Sequence, residues 1–344
     1  MHRRTTSLAA FATVALVALT GCGGGSGANS TASKDPKAAF ASGLSGLSDT
    51  DALTVTLKLD TTPDALIGFA KESGDTLDAQ TAQHVATAAV LFETKTSDGT
   101  KLSDIKPGTK VNVATRVAIQ DDGKRLGEFR SVGESLYAQA DVKALLDVFG
   151  QSASYADLVA RTQQMPAFVK AFVNGEWVVL DLNAVKALAG QFGGAAASPS
   201  TQQAQKLLTD LKAVIGKDVA VTRVGSDADG DHLKLTTQSR TFVTDLVQTL
   251  GSDIPAAGLA TGSLKPSNVA EHSVVLDAWV KDGVLSKLSV DVAQFAKPSE
   301  VKPGDSLPIV LLFDQSGDDI SKPANATPVD TTSLLTLLGS LGGK

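Results

Sequence analysis

From Leu53 to Leu59 apolar residues alternate with Thr54, Thr56 and Lys58, so every second side chain points the same way, and the pattern predicts a half-buried strand. Strand-like apolar segments recur over 90–96, 110–120, 125–131, 219–224, 232–237, 274–280 and 285–292. An Asp-Gly pair follows such a segment four times, at Asp98-Gly99, Asp122-Gly123, Asp229-Gly230 and Asp282-Gly283. Asp-Gly supplies the positive φ angles of a tight hairpin turn, so long antiparallel hairpins are predicted. Helical spacing appears over 37–47 after Pro36, 63–71 with Pro63 in the first turn, 76–88, 142–149, 155–173, 184–191, 202–215 and 241–250. Strands and helices fall in blocks, without βαβ alternation, which makes the expected class α+β with an antiparallel sheet.

The first residues depart from this pattern. His2, Arg3 and Arg4 precede a run from 8 to 19 with no charge, which is the layout of an export signal. The run stops short of the ~20 apolar residues that a spanning helix needs. Leu19-Thr20-Gly21-Cys22 resembles the bacterial lipobox, so cleavage is expected between Gly21 and Cys22, with lipid attached to the Cys22 thiol. A thiolate is the side chain nucleophilic enough for that reaction. Cys22 is the single cysteine in the chain, so no intrachain disulfide competes for it. The expected organisation is a signal at 1–21, a Gly/Ser-rich tether at 22–35 and one extracytoplasmic domain at 36–344. The expected location is the outer face of the cell membrane, held by lipid.

Charge narrows the partners. With 31 basic against 37 acidic residues the chain carries a formal charge of −6, and losing Arg3 and Arg4 makes it more acidic, which argues against nucleic acid. Aromatic residues are 5% of the total, so a pocket is expected to be aliphatic and a ring-stacking sugar site is disfavoured. Ser103-Asp104-Ile105-Lys106-Pro107-Gly108 and Ser299-Glu300-Val301-Lys302-Pro303-Gly304 echo each other. The echo reads either as a duplicated half with a boundary near 195–200 or as one Pro-Gly turn chosen twice.

Catalytic patterns are weak. The echoes contain Ser-x-x-Lys, at Ser103 with Lys106 and Ser299 with Lys302, but a proline after each lysine disfavours the helix that would align them. Beyond the signal the histidines are His84, His232 and His272, far apart and without metal-ligand spacing. Asp227, Asp229 and Asp231 resemble the start of a calcium loop, a weaker alternative because Gln238 stands where a bidentate glutamate belongs. The expectation is therefore no enzyme, no cofactor and no metal.

Three stretches carry a family resemblance: Gly133-Glu134-Ser135-Leu136-Tyr137-Ala138-Gln139-Ala140, Asn174-Gly175-Glu176-Trp177-Val178-Val179-Leu180-Asp181-Leu182 and Asp277-Ala278-Trp279-Val280-Lys281-Asp282-Gly283-Val284-Leu285. With the lipobox and tether, they resemble the LolA-like lipoprotein carriers of the actinobacterial LppX and LprG type. The resemblance implies a strongly curved antiparallel sheet, a half-barrel, wrapped around a layer of helices, with an apolar cavity that holds acyl chains in some members. Candidate lining residues are Leu57, Val117, Leu276, Ala278 and Val290. In a half-buried strand such as the one with Leu276, Ala278 and Val280, the apolar face must cover either helices or a ligand. The expected function is binding or carrying a lipid or other amphiphile, with the membrane and a lipid as partners; the alternative is a cell-envelope interaction lipoprotein without a small ligand.

Overall fold

The computed structural model describes residues 32, 34–72, 74–105, 111–184, 213, 214, 216–250, 271–295, 306–334 and 336. Cys22, the tether up to 31, residues 185–191 of the helix predicted at 184–191, residues 202–212 of that predicted at 202–215, the 195–200 boundary, residues 106–108 of the first Ser-x-x-Lys echo and all of the second lie outside the described residues. The strands are β1 Ala52–Leu59, β2 Ala88–Thr96, β3 Val113–Asp121, β4 Lys124–Val132, β5 Ser135–Ala140, β6 Val178–Asp181, β7 Ala220–Asp227, β8 Gly230–Gln238, β9 Ser273–Lys281, β10 Val284–Asp291, β11 Pro308–Asp314 and β12 Thr327–Pro328. The described helices are α1 Pro36–Gly46, α2 Pro63–Glu72, α3 Ala79–Thr87, α4 Val142–Val148, α5 Ser154–Thr162, α6 Ala167–Val173 and α7 Ser239–Leu250.

All twelve strands form one curved open sheet in the order β12-β6-β5-β4-β3-β2-β1-β11-β10-β9-β8-β7. The class is α+β, as expected. Neighbours pair antiparallel except β12, which runs parallel to β6 through Thr327 opposite Val178. Bulges interrupt the β3–β4, β7–β8 and β9–β10 ladders, and each adds local bend and twist.

Local chemistry explains the boundaries. Asp35, Asp78 and Asp141 cap α1, α3 and α4, each accepting a backbone N–H three residues on, at 2.9 Å. The predicted helix over 155–173 is split into α5 and α6, because Pro166 has no N–H to donate and disfavours helix at Met165. Asp122-Gly123 and Asp282-Gly283 turn tight hairpins with positive φ at both residues. Asp98-Gly99 does not: after it the chain enters a short 3₁₀ turn at Leu102–Asp104 that buries Leu102 in the main core, and β3 begins only at Val113.

At the β7–β8 turn the glycine has a second task. Gly230 has φ of +128°, and a Cβ there would stand 2.5 Å from the carbonyl oxygen of Val280. Neither backbone can retreat without breaking the β8–β9 ladder. Gly230→Ala is expected to destabilise the protein by about 3 kcal/mol, read from chemical denaturation, whereas Gly123→Ala, with open space around it, is expected to cost about 1 kcal/mol.

The two faces of the sheet are unlike. On the inner face the main core joins α1, through Ala39 and Phe40, to Leu233, Leu235, Ala278, Val280, Leu285 and Leu311. Gly43 of α1 lets the helix approach closely, since a Cβ there would lie 3.1 Å from both Val280 and Leu285. At the far end Phe168 and Ala171 of α6 pack on Val178 and Ala138.

The outer face is crossed by a strap, residues 315–328, which leaves β11 and reaches β12 at the other edge. It is tied down strand by strand. Thr54 of β1 donates to the Ser316 carbonyl at 2.8 Å, and Lys95 of β2 to that of Gly317 at 3.3 Å. Arg116 of β3 pairs with Asp318 at 2.8 Å, and Arg130 of β4 donates to the Ser321 carbonyl at 2.9 Å. The strap then docks when Thr327 N–H donates to the Trp177 carbonyl. Beneath it Arg116 also contacts the buried carboxylate of Glu93.

These carboxylates respond to acid in opposite senses. The Arg116 hydrogen bond and charge hold Asp318 below the usual aspartate range. Its contribution to stability is therefore present above the unfolded value and is lost as pH falls through the folded one. Burial raises Glu93 despite the pull of Arg116, so protonation of Glu93 relieves a cost and stabilises the fold as pH falls through its raised value. Thermal unfolding of Asp318→Asn should lie below wild type at neutral pH and approach it in acid, where Asp318 is protonated in wild type too and its charge no longer helps to raise Glu93.

Candidate functional site

The inner face is built from rows of residues that strand register places side by side. One row runs Leu57, Leu311, Leu288, Ala278 and Leu233 across β1, β11, β10, β9 and β8. The next runs Leu59, Ile309, Val290, Leu276 and Leu235. A third continues the other way, from Phe313 through Val55, Phe92, Val117 and Phe129 to Ala138. All five residues expected to line a cavity, Leu57, Val117, Leu276, Ala278 and Val290, lie on this face. They do not have equal access. Ala278 has 0% exposure and belongs to the core under α1, while Leu57, Val117, Leu276 and Val290 are half-buried.

The face is covered at its two ends and less so between them. α1 seals β8–β10, and α6 seals β5 and β6. Between these, Phe129 on β4 is 47% exposed and Ile119 on β3 is 41% exposed. Register sets Phe129 beside Val117 and Ile119 beside Val90, so the open residues continue an aliphatic floor. Sequence reading passed over both. The signal was present, because Val117, Ile119 and Phe129 keep the period-two pattern of their strands, but pattern does not say which apolar residues a helix covers.

Other sequence-read candidates are spread apart. Asp227 accepts from the Trp279 indole N–H at 2.8 Å, Asp229 pairs with Lys287 at 3.1 Å, and Asp231 pairs with Arg223 at 2.9 Å. The three carboxylates thus turn to three different partners instead of converging. Among the described residues no group of three His, Cys, Asp or Glu side chains is placed to hold a metal ion. His84 contacts Asp121 at 2.7 Å, where Asp121 also accepts from Thr87. His232 contacts Asp277 at 2.7 Å on another part of the sheet, and its ring stacks on Trp279 with centroids 4.4 Å apart. Lys287 lies over that indole at 4.4 Å, so His232, Trp279 and Lys287, adjacent across β8, β9 and β10, form an outer-face ladder that stiffens three strands. No described helix is long and apolar enough to cross a membrane.

No family model matches the chain, and no curated protein does. Among solved structures the chain is similar to LprF from Mycobacterium bovis, with 10% identity, a TM-score of 0.34, and coverage of 85% of this chain and 98% of that one. It is also similar to the lipoprotein LppX of Mycobacterium tuberculosis, with 10% identity, a TM-score of 0.32, and coverage of 83% of this chain and 100% of that one.

Proposed function

We propose that this protein is a membrane-anchored extracytoplasmic lipoprotein, attached through Cys22, that binds or carries a lipid or other amphiphile on the inner face of its sheet. One observation carries the reading: the aliphatic floor stays open at Phe129 and Ile119 between two helix-covered ends. An alkyl chain suits that floor, because each CH₂ moved from water onto apolar surface contributes about 0.8 kcal/mol and needs no directional partner. Carrying, not catalysis, is the role that fits, since among the described residues the candidate chemistry-bearing side chains are scattered and individually paired, and His232 with its partners stands on the outer face.

Native mass spectrometry of the full chain, expressed in a related bacterium and released from membranes, tests the proposal. The expected result is a diacylated protein with an additional noncovalent mass that extracts into organic solvent. A homogeneous diacylated mass with nothing extractable would refute the carrier and keep the anchor; an unmodified Cys22 would refute the anchor.

A further inference from the structure

A second recess lies at one end of β4 and β5, beside the end of the aliphatic floor, where Gly127 is the register partner of Ile119. It is a half-open pocket of about 360 Å³ between the ends of β4 and β5 and the helices α4–α6. The β3–β4 bulge between Ile119 and Gln120 puts Arg125 on the same face as Glu128 and Arg130. Glu128 is fully buried at the pocket. Its Oε1 accepts from Arg130 Nε at 2.5 Å, whereas Arg125 Nη1 stands 2.5 Å from Oε2 without alignment for a hydrogen bond. Both carboxylate oxygens are thus engaged by guanidinium groups, which fix Glu128 at the pocket wall and leave the remaining N–H groups of Arg125 turned to the rim.

Spare hydrogen-bonding capacity lies in the neighbouring groups. Gln139, directly opposite Glu128, donates its amide N–H to the Gly175 carbonyl at 2.7 Å and keeps its oxygen as an acceptor. The Tyr155 hydroxyl donates to the Val173 carbonyl at 3.3 Å and keeps its lone pairs. Asp141 uses one carboxylate oxygen to cap α4. Arg125 and Asn174 present exposed donors at the rim. Val142 and Val173 supply a small apolar side.

Charge decides the class of ligand. Arg125 at the rim and Arg130, which stands outside the pocket on the far side of Glu128, together offset Glu128 and Asp141, so charge around the pocket favours neither an anion nor a cation strongly. The volume lies near the lower end of ligand pockets, roughly 300–1,000 Å³, and the lining is too polar for an acyl chain. Donors and acceptors alternate around it, and a hydroxyl group serves both at once. We infer that this pocket binds a neutral polyhydroxylated molecule of about monosaccharide size, held by hydrogen bonds with its C–H edge toward Val142 and Val173. Stacking between aromatic rings, which the composition disfavours, is not required. The inference does not rest on the amphiphile proposal, since the polar groups it uses, on Gln139, Tyr155 and Asn174, are not part of the aliphatic floor.

The test is calorimetric titration of the full chain in a zwitterionic detergent with myo-inositol and glucose, beside glucuronate and choline. A parallel arm uses phosphatidylcholine nanodiscs with or without a lipid bearing a neutral sugar head group. Saturable binding of a neutral probe in either arm, weakened about fivefold or more by Gln139→Ala and by Asn174→Ala, supports the inference, and the arm that binds assigns the source. Asn174 is exposed, so its variant keeps the test valid if Gln139→Ala fails to fold. Absence of binding in both arms, preference for glucuronate or choline, or binding indifferent to both variants would overturn it.

Discussion

Replacing Arg116 with alanine is expected to destabilise the protein by about 3–5 kcal/mol, a large part of the total stability of an ordinary domain. Arg116 is 7% exposed and stands between Glu93, which has no exposed side-chain surface, and Asp318 on the strap. Without the guanidinium, the Glu93 carboxylate stays buried with no compensating charge, and the fold must either bear that cost or take up a proton. The strap also loses its tie to β3. A second variant separates the causes: in Arg116→Leu with Glu93→Leu both charges are gone and apolar volume remains, so the double variant should recover much of the loss. Chemical denaturation of wild type and the two variants at neutral pH provides the comparison. A single variant within 1 kcal/mol of wild type would mean that water reaches Glu93 in solution and that the strap is loosely held.

This network shows where the sequence was readable and where it was not. Alternation identified β1, β3, β4, β8, β9 and β10, because one face of each is apolar and the turn chemistry at Asp122-Gly123 and Asp282-Gly283 fixes how they pair. The same alternation marks Glu93, Arg116, Glu128 and Arg130 as a solvent face, yet Glu93, Arg116 and Glu128 are buried. What buries Glu93 and Arg116 is a strap some 200 residues downstream of Arg116, and no local period encodes that crossing. Charges at Arg125, Glu128 and Arg130 on one strand were the available clue, since three alternating-sign charges within six residues suit mutual pairing better than separate solvation. The split of 155–173 was legible in Pro166 and was passed over. The inner-face residues were named from a resemblance, and register places them on one face; which of them are open depends on helix packing that a strand pattern does not contain.

The same dependence makes the inner face directly testable. Phe129→Asp is expected to lower retention of a bound amphiphile by about 100-fold while changing the stability of the lipid-free protein by less than about 1 kcal/mol. Stability is spared because a side chain 47% exposed contributes little buried area and leaves no sealed cavity. Binding is not spared, because an alkyl chain laid over the floor would strip water from the new carboxylate next to Val117 and Ala138, and desolvating an unpaired charge costs several kcal/mol. Phe149→Asp is the control: Phe149 is 72% exposed at the end of α4, off the sheet, so loss of an exposed aromatic there should leave retention unchanged. Lipid copurifying with each variant, quantified per mole of protein, reads the difference. Equal retention in Phe129→Asp and wild type would remove the open stretch of β3 and β4 from the binding surface, and equal loss in both variants would show that the amphiphile adheres to exposed aromatics in general and that the sheet floor does not select it.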